Sequence, residues 1–316
     1  MLENENAQSK ALANIADERM DQGDLRQALQ LYAESLQLDR EDTGHVALAG
    51  YNIANLHQLQ GDLPGAKRGF EQSLAIWQKN GDEGSAAYSM SSLGGVLLLE
   101  ADFRGARQML EQALAISASA GEKITISETQ LPLADLSLEE TRSPVEQEAA
   151  ARLVLDVFQK QKGRDDEIQA WCLLSRALLA EGNPAAAKET VQHALTLAAK
   201  NQNPEVRWGA TISATRIEVA DKAAAFSAAG IAARKELAAV IAKSQELGYR
   251  LVELDARLAL AEIEMSSGQK AQAQTHLAEI ERDAKAIGYN LLASKAREVL
   301  KTVLRKSKNV LRTVGY

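Results

Sequence analysis

Small and large apolar residues recur along the chain in one order and at helical spacing. In residues 60–76 (QGDLPGAKRGFEQSLAI), Ala66, Phe70, Ser73 and Leu74 are separated by four, three and one residues, which places them on one stripe of an α-helix. Small residues in this stripe let a second helix approach closely, and the large residue fills the remaining space. The pattern therefore predicts a helix packed tightly against a neighbour. The same slots hold Ala28, Tyr32, Ser35 and Leu36, and then Ala106, Leu110, Ala113 and Leu114.

A turn signature precedes these stripes. A glycine, for which a left-handed backbone costs least, is followed at once by Asp or Asn, the residue types that cap a helix N-terminus well. Pro64 and Pro184 then fall in the first turn of the next helix, where a missing N–H costs nothing. The signature predicts helical hairpins in which a glycine ends the first helix. The complete pairs are Gly23-Asp24, Gly61-Asp62 and Gly182-Asn183, while Asp102 follows an alanine and Gly268 precedes a glutamine.

These turns recur about every forty residues, a spacing that admits two helices of about 17 residues with short connections. We predict an all-α fold, a right-handed α-α superhelix of about seven helical hairpins with a C-terminal capping helix. A single repeat array is expected over residues 1–306, followed by a basic tail at 307–316. The predicted units are residues 4–40, 42–80, 82–120, 122–161, 164–200, 203–247 and 249–287, with the cap at 289–306.

Units four and six depart from the pattern. In unit four, the flanking periodicity favours a helix that contains or begins at Pro132, so a late start or a kink is expected there. The turn at residues 140–144 lacks glycine. In unit six, residues 223–239 are so rich in alanine that the helix register is poorly specified, and Gly230 is the expected break.

The residues of the best-defined unit carry a family resemblance. Ala54 in the first helix, the Gly-Asp turn, and then Ala66, Phe70 and Ser73 resemble the tetratricopeptide repeat. The period near forty residues resembles a longer variant found in bacterial regulatory proteins. The segments 131–140 and 174–183 are similar to C-terminal arrays of multidomain bacterial signalling proteins, which commonly follow a kinase-like or winged-helix domain. The 316 residues contain no pattern of such an effector domain.

Composition limits the classes of partner. Only 4% of the residues are aromatic and five are proline, which suits a water-soluble helical protein. The net charge of −7 disfavours general binding to nucleic acid or to an anionic membrane. Since one cysteine cannot form an internal disulfide and no apolar stretch is long enough to span a bilayer, we expect a cytoplasmic protein.

The sequence offers little for catalysis. His45, His57, His193 and His276 lie in separate units without the ligand spacing of a metal site, and Cys172 falls on an apolar helix, where a small packed residue is expected. Phosphate-binding, dinucleotide-binding and hydrolase motifs are absent from the sequence. We expect no catalytic residue, no metal and no cofactor, and therefore no enzymatic activity.

The remaining candidate is a binding surface. The resemblance implies that the first helices of the hairpins line a concave face, with polar side chains and exposed tyrosines suited to an extended peptide or a helix. The carboxylate clamp of chaperone-binding relatives needs Lys, Asn and Arg at such slots, whereas Ala13 and Asp17 stand here. Solvated positions between packed ones are the alternative interpretation. The candidate partner-binding residues are Asp17, Tyr51, Asn55, Tyr88, Ser91, Asp135, Gln169 and Arg176.

Two functional hypotheses remain. The first is a non-enzymatic scaffold that binds a protein or peptide on its concave face. The alternative is a regulatory or oligomerisation module for an effector domain, which includes assembly into a homo-oligomer. The basic segment from Lys301 to the C-terminus, with no acidic residue, is interpreted as a solvated face of the cap followed by a frayed tail.

Overall fold

The computed structural model of this chain describes residues 2–38, 42–120, 123–140, 144–161, 164–220 and 222–313. Within these residues the secondary structure is entirely helical, as the all-α prediction requires. The helices are α1 Leu2–Asp21, α2 Leu25–Leu38, α3 Thr43–Leu59, α4 Leu63–Asn80, α5 Glu83–Leu99, α6 Phe103–Ala120, α7 Lys123–Glu140, α8 Pro144–Gln161, α9 Arg164–Ala180, α10 Pro184–Ala198, α11 Pro204–Glu218, α12 Lys222–Ala225, α13 Ala228–Leu247, α14 Arg250–Ser266, α15 Lys270–Ala286 and α16 Asn290–Thr313.

Consecutive helices pack in pairs, and each pair packs on the next. The pairs are α1/α2, α3/α4, α5/α6, α7/α8, α9/α10, α11/α13 and α14/α15, with α16 packed against α15. This is the predicted helical superhelix of seven hairpins and a cap. The division into an array and a tail beyond residue 306 stays a prediction.

The hairpin at Gly61 shows why the repeated residues form this structure. Gly61 has a left-handed backbone with φ of +81°, and the Asp62 carboxylate accepts a hydrogen bond from the Gly65 N–H at 2.9 Å. The α4 stripe is buried, with Ala66 and Phe70 at 0% exposure. Ser73 donates a hydrogen bond to the Ala47 carbonyl at 2.9 Å, so its small side chain ties α4 to α3 at close range.

Unit four begins with one helix that starts earlier than expected. The helix α7 begins at Lys123 and contains Pro132, so the expected late start is wrong and the expected inclusion of Pro132 is confirmed. The following turn lies outside the described residues at 141–143.

Unit six carries its break earlier than predicted. The short α12 ends at Ala225, and α13 begins at Ala228, so the interruption falls before Gly230. A Cβ on Gly230 would lie only 2.3 Å from the Ala225 carbonyl oxygen. Gly230 therefore permits the tight packing of α12 against the start of α13 and does not itself end a helix.

The array closes on itself, because turns of the first three hairpins contact the starts of later first helices. A Cβ on Gly23 would lie 2.7 Å from Pro204 Cγ at the start of α11. A Cβ on Gly61 would lie 2.9 Å from the Arg250 side chain at the start of α14. Asn290, the first residue of α16, donates a hydrogen bond to the Glu100 carbonyl. We call this line of contacts the seam.

Apolar side chains fill the interior of the seam. Tyr249 is 1% exposed and packs in one cluster with Ala16, Leu25 and Tyr32 of the first hairpin. The ring of Trp208 lies edge-on to Tyr249, with ring centroids 5.3 Å apart. The N-terminal and C-terminal hairpins thus share a core, and the inner helices enclose a central space.

A candidate binding cavity inside the closed array

A central cavity of about 540 Å³ is lined by first helices of the hairpins and by the cap. Its wall includes residues from α3, α5, α7, α9, α11, α14 and α16. First helices face the inside of a helical-hairpin solenoid because the second helices occupy the larger outer radius. The repeat therefore brings side chains that are distant in sequence to one concave surface.

One position of each first helix forms a column along this surface. The column members lie about forty residues apart and include charged, amide and glycine residues. Its last five members line the cavity. Along these five members the charges run acidic, basic, basic, acidic and basic. The column consists of Asp17, Asn55, Gly95, Asp135, Arg176, Arg216, Asp255 and Lys295.

The basic members of the column are held by carboxylates on neighbouring helices. Arg176 contacts Asp135 at 2.9 Å and Glu139 at 3.3 Å, and Lys295 contacts the same Glu139 at 2.6 Å. These contacts join α7, α9 and α16 across the cavity wall. The donors are therefore already oriented, and a charged ligand at this wall would replace one partner of an ion pair.

Arg216 occupies a similar bridge in the next hairpin. Its guanidinium lies 2.9 Å from both Asp255 and Glu262 of α14. Burial would lower the pKa of Arg216, but the two carboxylates outweigh it and raise that pKa. Burial likewise opposes ionisation of Asp255, yet Arg216 holds the pKa of that carboxyl below its usual value. The pair is therefore charged at neutral pH and fixes α11 against α14.

Three of the predicted binding residues line the cavity, namely Asp135, Gln169 and Arg176. Gln169 is exposed on α9, and its amide faces the cavity as a free donor and acceptor. Asn55 lines a second, smaller space of about 220 Å³ at the seam, which we call the seam cavity. The structure thus brings Asp135, Gln169 and Arg176 together and places Asn55 nearby.

The other four predicted residues lie elsewhere. Asp17 accepts hydrogen bonds from Tyr32 and from Asn52, the latter at 3.1 Å, and so joins the first two hairpins. Ser91 is 6% exposed and Tyr88 is 36% exposed. The role of these residues in binding stays a prediction.

The exposure expected for Tyr51 is wrong, because its side chain is only 5% exposed. Its ring lies 5.2 Å from Phe70 and 4.8 Å from Tyr88, and its hydroxyl is 2.6 Å from the Ser92 hydroxyl. A long side chain at this position fills the space between α3 and α5, where a short one would leave the surface open. Tyr51 is therefore part of the packing between hairpins.

Sequence reasoning missed Arg216, Asp255, Lys295 and Gly209, which also line the cavity. The signal was present, since Arg216, Asp255 and Lys295 continue the forty-residue column from Arg176. Unit six is rich in alanine and contains the extra helix α12. Its repeat register was therefore poorly specified, and the column was not extended beyond Arg176.

Cys172 also lines the cavity, and it is 9% exposed. Burial raises the pKa of its thiol to about 11, so the neutral thiol predominates at physiological pH. Among the described residues, no group of three His, Cys, Asp or Glu side chains is arranged to hold a metal ion. In the same part of the chain, no helix is both long and apolar enough to cross a membrane.

Comparison with protein families identifies the repeat. Two tetratricopeptide-repeat family models match residues 45–119 and 168–201. No curated protein matches the chain.

Solved structures agree on the fold. The structure is similar to a Rap conjugation gene regulator of plasmid pLS20 in complex with the Phr* peptide, with 15% identity, coverage of 87% of this chain and 73% of that chain, and a TM-score of 0.66. It is also similar to a Rap protein complexed with competence and sporulation factor, with 12% identity, coverage of 94% and 98%, and a TM-score of 0.57. A third similar structure is aspartyl phosphate phosphatase F from Bacillus subtilis, with 10% identity, coverage of 89% and 71%, and a TM-score of 0.62. At such identities the likeness shows the fold.

Proposed function

We propose that this tetratricopeptide-repeat protein is a non-enzymatic interaction scaffold that binds an extended peptide, or a peptide segment of a partner protein, in its central cavity. The observation that carries the proposal is the central cavity of about 540 Å³, whose wall includes the same register position of α7, α9, α11, α14 and α16. Its volume falls within the usual range of ligand sites, about 300–1,000 Å³.

The chemistry of the wall supports a peptide as the ligand. A peptide backbone needs donors and acceptors at regular intervals, and the five charged column residues that line the cavity supply them together with Gln169. The amide of Gln169 offers both functions, while Arg176 and Lys295 can turn from Glu139 towards an acidic side chain or a terminal carboxylate. Leu131 and Tyr289 add apolar surface to the same cavity.

Two of the similar structures support this interpretation. The Rap conjugation gene regulator is in complex with the Phr* peptide, and the other Rap protein is complexed with competence and sporulation factor. A helical array of this fold can therefore hold a peptide. The transfer to this chain rests on the shared fold and on the polar column of its own cavity.

The absence of turnover is part of the proposal. The cavity cations Arg176, Arg216 and Lys295 are each paired with carboxylates, and the Cys172 thiol is neutral at physiological pH. This arrangement positions charges but supplies no activated nucleophile beside a general base. The similarity to aspartyl phosphate phosphatase F concerns the fold.

A library of displayed random peptides tests the proposal directly. Peptides selected on the wild-type protein would be measured by calorimetry against Gln169→Trp, which places a large ring at the cavity wall. Gln192→Trp is the matched control, because Gln192 is exposed on the second helix α10 and outside the cavity lining. We expect Gln169→Trp to weaken binding by at least about tenfold and Gln192→Trp to leave it unchanged. Equal binding by both variants would refute the cavity as the binding site.

A regulatory module is the second candidate function, and the similarity to a Rap conjugation gene regulator favours it. In this case the ligand-bound array would act on a further protein or on a second copy. Light scattering with and without a selected peptide distinguishes the two. A ligand-dependent change in mass would favour regulation through assembly, and a constant monomer mass near 34.1 kDa would exclude self-assembly as the mechanism.

A further inference from the structure

The seam cavity lies where the first two hairpins meet the starts of α11 and α14. Its volume is about 220 Å³, and its polar wall consists of Asp21, Asn55, Gln58, Asn203, Glu205 and Tyr249. Asp21 ends α1, and Glu205 lies in the first turn of α11. Two carboxylates from opposite sides of the seam therefore share one small space.

A third carboxylate, from the first turn of α9, adds to this negative charge. Asp165 accepts hydrogen bonds from the amides of Asn201 and Asn203 at 2.5 and 3.1 Å, which hold it beside the start of α11. Its charge disfavours ionisation of both Asp21 and Glu205. Three acidic groups thus converge on the seam from α1, α9 and α11.

Basic side chains do not balance these charges. Among the described residues, no Lys, Arg or His lines the seam cavity. Arg250, which begins α14, is paired with Glu253 at 2.5 Å and with Asp283 at 3.5 Å. Arg19 on α1 donates to the Gln22 amide oxygen at 2.9 Å, and Arg207 on α11 is exposed. The remaining titratable group in the wall, the Tyr249 hydroxyl, has its pKa raised by burial and by Glu205 and Asp21.

This environment changes the proton affinity of the carboxyls. Burial and the Asp165 charge raise the pKa of Glu205 to about 7. Burial, Asp165 and Asp17 together raise the pKa of Asp21. Opening of the seam would hydrate Glu205 further and separate Asp21 from Asp165, which would return both pKa values towards the ordinary range of carboxyls. The closed seam therefore binds a proton more tightly than the open seam does.

We propose that the seam is a pH-sensitive latch formed by Asp21, Asp165 and Glu205. The seam stays closed while the Glu205 carboxyl is protonated, and it loosens when all three groups carry a negative charge. The apolar packing of Tyr249 against Ala16, Leu25 and Tyr32 of the first hairpin holds the seam at all pH values, and the carboxylates set how firmly.

The sign of the effect follows from proton linkage. Below the ordinary pKa of a glutamate, both seam states are protonated and closure is unopposed. As the pH rises from there to about 7, the closed state retains a proton that the open state has lost. The ratio of open to closed molecules then rises by up to about tenfold per pH unit and becomes constant above this window. Glu205 lines the central cavity as well as the seam cavity, so the latch is tested on the ligand-free protein.

Hydrogen exchange measured by mass spectrometry tests the latch on the intact chain. Peptides covering residues 19–25 and 203–210 report the two sides of the seam. After correction for the intrinsic pH dependence of exchange, protection of these peptides in the wild type should fall between pH 5 and 7 by up to about tenfold per unit. The Glu205→Gln variant keeps the side-chain size and cannot titrate at this position. Its protection should exceed that of the wild type at pH 7 and fall less between pH 5 and 7, with the remaining fall due to Asp21 and to Asp166, whose pKa burial and Asp165 raise to about 6.

Two further variants complete the test. Glu246→Gln removes an exposed carboxylate on α13, away from the seam, and should follow the wild type. Asp165→Asn removes the charge that opposes ionisation of Glu205, so the pH at which protection becomes constant should move down. Circular dichroism confirms that helicity is unchanged across the series. Constant protection in the wild type, or the same pH dependence in Glu205→Gln and Asp165→Asn as in the wild type, would overturn the proposal.

Discussion

The Asn290 side-chain amide donates a hydrogen bond to the Glu100 backbone oxygen at 3.1 Å, although the two residues are 190 positions apart. The contact joins the turn after α5 to the first residue of α16. It is the last of the seam contacts along the array and converts an open row of hairpins into a ring. The predictions below concern this ring and the cavity inside it.

Gly23→Ala should destabilise the protein more than Gly182→Ala does. Both glycines have left-handed backbones, with φ of +86° and +80°, so either substitution costs about 1 kcal/mol in strain. A Cβ at position 23 would also lie 2.7 Å from the rigid Pro204 ring, whereas a Cβ at position 182 would meet nothing within 4 Å. Urea denaturation measures the difference. Equal losses of unfolding free energy would show that Gly23 is not confined by the seam.

Ala101→Gly should stabilise the protein. Ala101 has φ of +63° in the turn where four other hairpins carry a left-handed glycine, and a left-handed backbone costs a residue with a Cβ about 1–2 kcal/mol. Ala115→Gly is the opposite control, since Ala115 is exposed within α6 and glycine there should cost about 1 kcal/mol. Thermal denaturation of the two variants should therefore shift the midpoint in opposite directions. A loss of stability in Ala101→Gly would contradict the strain argument.

Arg216→Met should cost about 2–3 kcal/mol of unfolding free energy, because it leaves Asp255 and Glu262 without their shared partner. The estimate lies below that for a fully buried pair because the Arg216 side chain is 26% exposed and borders the cavity. Lys243→Met removes a cation from an exposed pair with Glu246 and should change stability by less than about 1 kcal/mol. Chemical denaturation at pH 7 measures the unfolding free energy of both variants. Similar small losses of unfolding free energy would show that the Arg216 ion pairs contribute no more than a surface pair.

Cys172 should react slowly with an aromatic disulfide reagent. At pH 8 a thiol with a pKa of about 11 is ionised in roughly one molecule in a thousand, against about a quarter for an ordinary thiol. Because the chain has one cysteine, the absorbance change reports this site alone. The rate should rise by at least about a hundredfold in denaturing urea, where the thiol regains its ordinary pKa. A rate in buffer equal to that in urea would show that the thiol is not shielded.

The candidate site was predictable in part. Asp135, Gln169 and Arg176 line the cavity because repeat register, which is visible in the sequence, determines which side of a first helix faces inward. Tyr51 belongs to the same register set, yet its side chain is buried. Whether an inward position is open or filled depends on the side chains of the next hairpin, such as Tyr88 and Ser92, and a single unit does not show this.

The sequence by itself determined the helices, their pairing into hairpins and the number of hairpins. These features depend on interactions within about forty residues, such as the Asp62 cap, the left-handed Gly61 and the Ala66-Phe70 stripe. Only the tertiary structure decided that the array closes into a ring and that Asp21, Asp165 and Glu205 converge. Closure depends on the small rotation between successive hairpins, which accumulates along the array and is set by side-chain packing at each interface. Contacts such as Asn290 to Glu100 follow from that accumulated rotation, which no local pattern encodes.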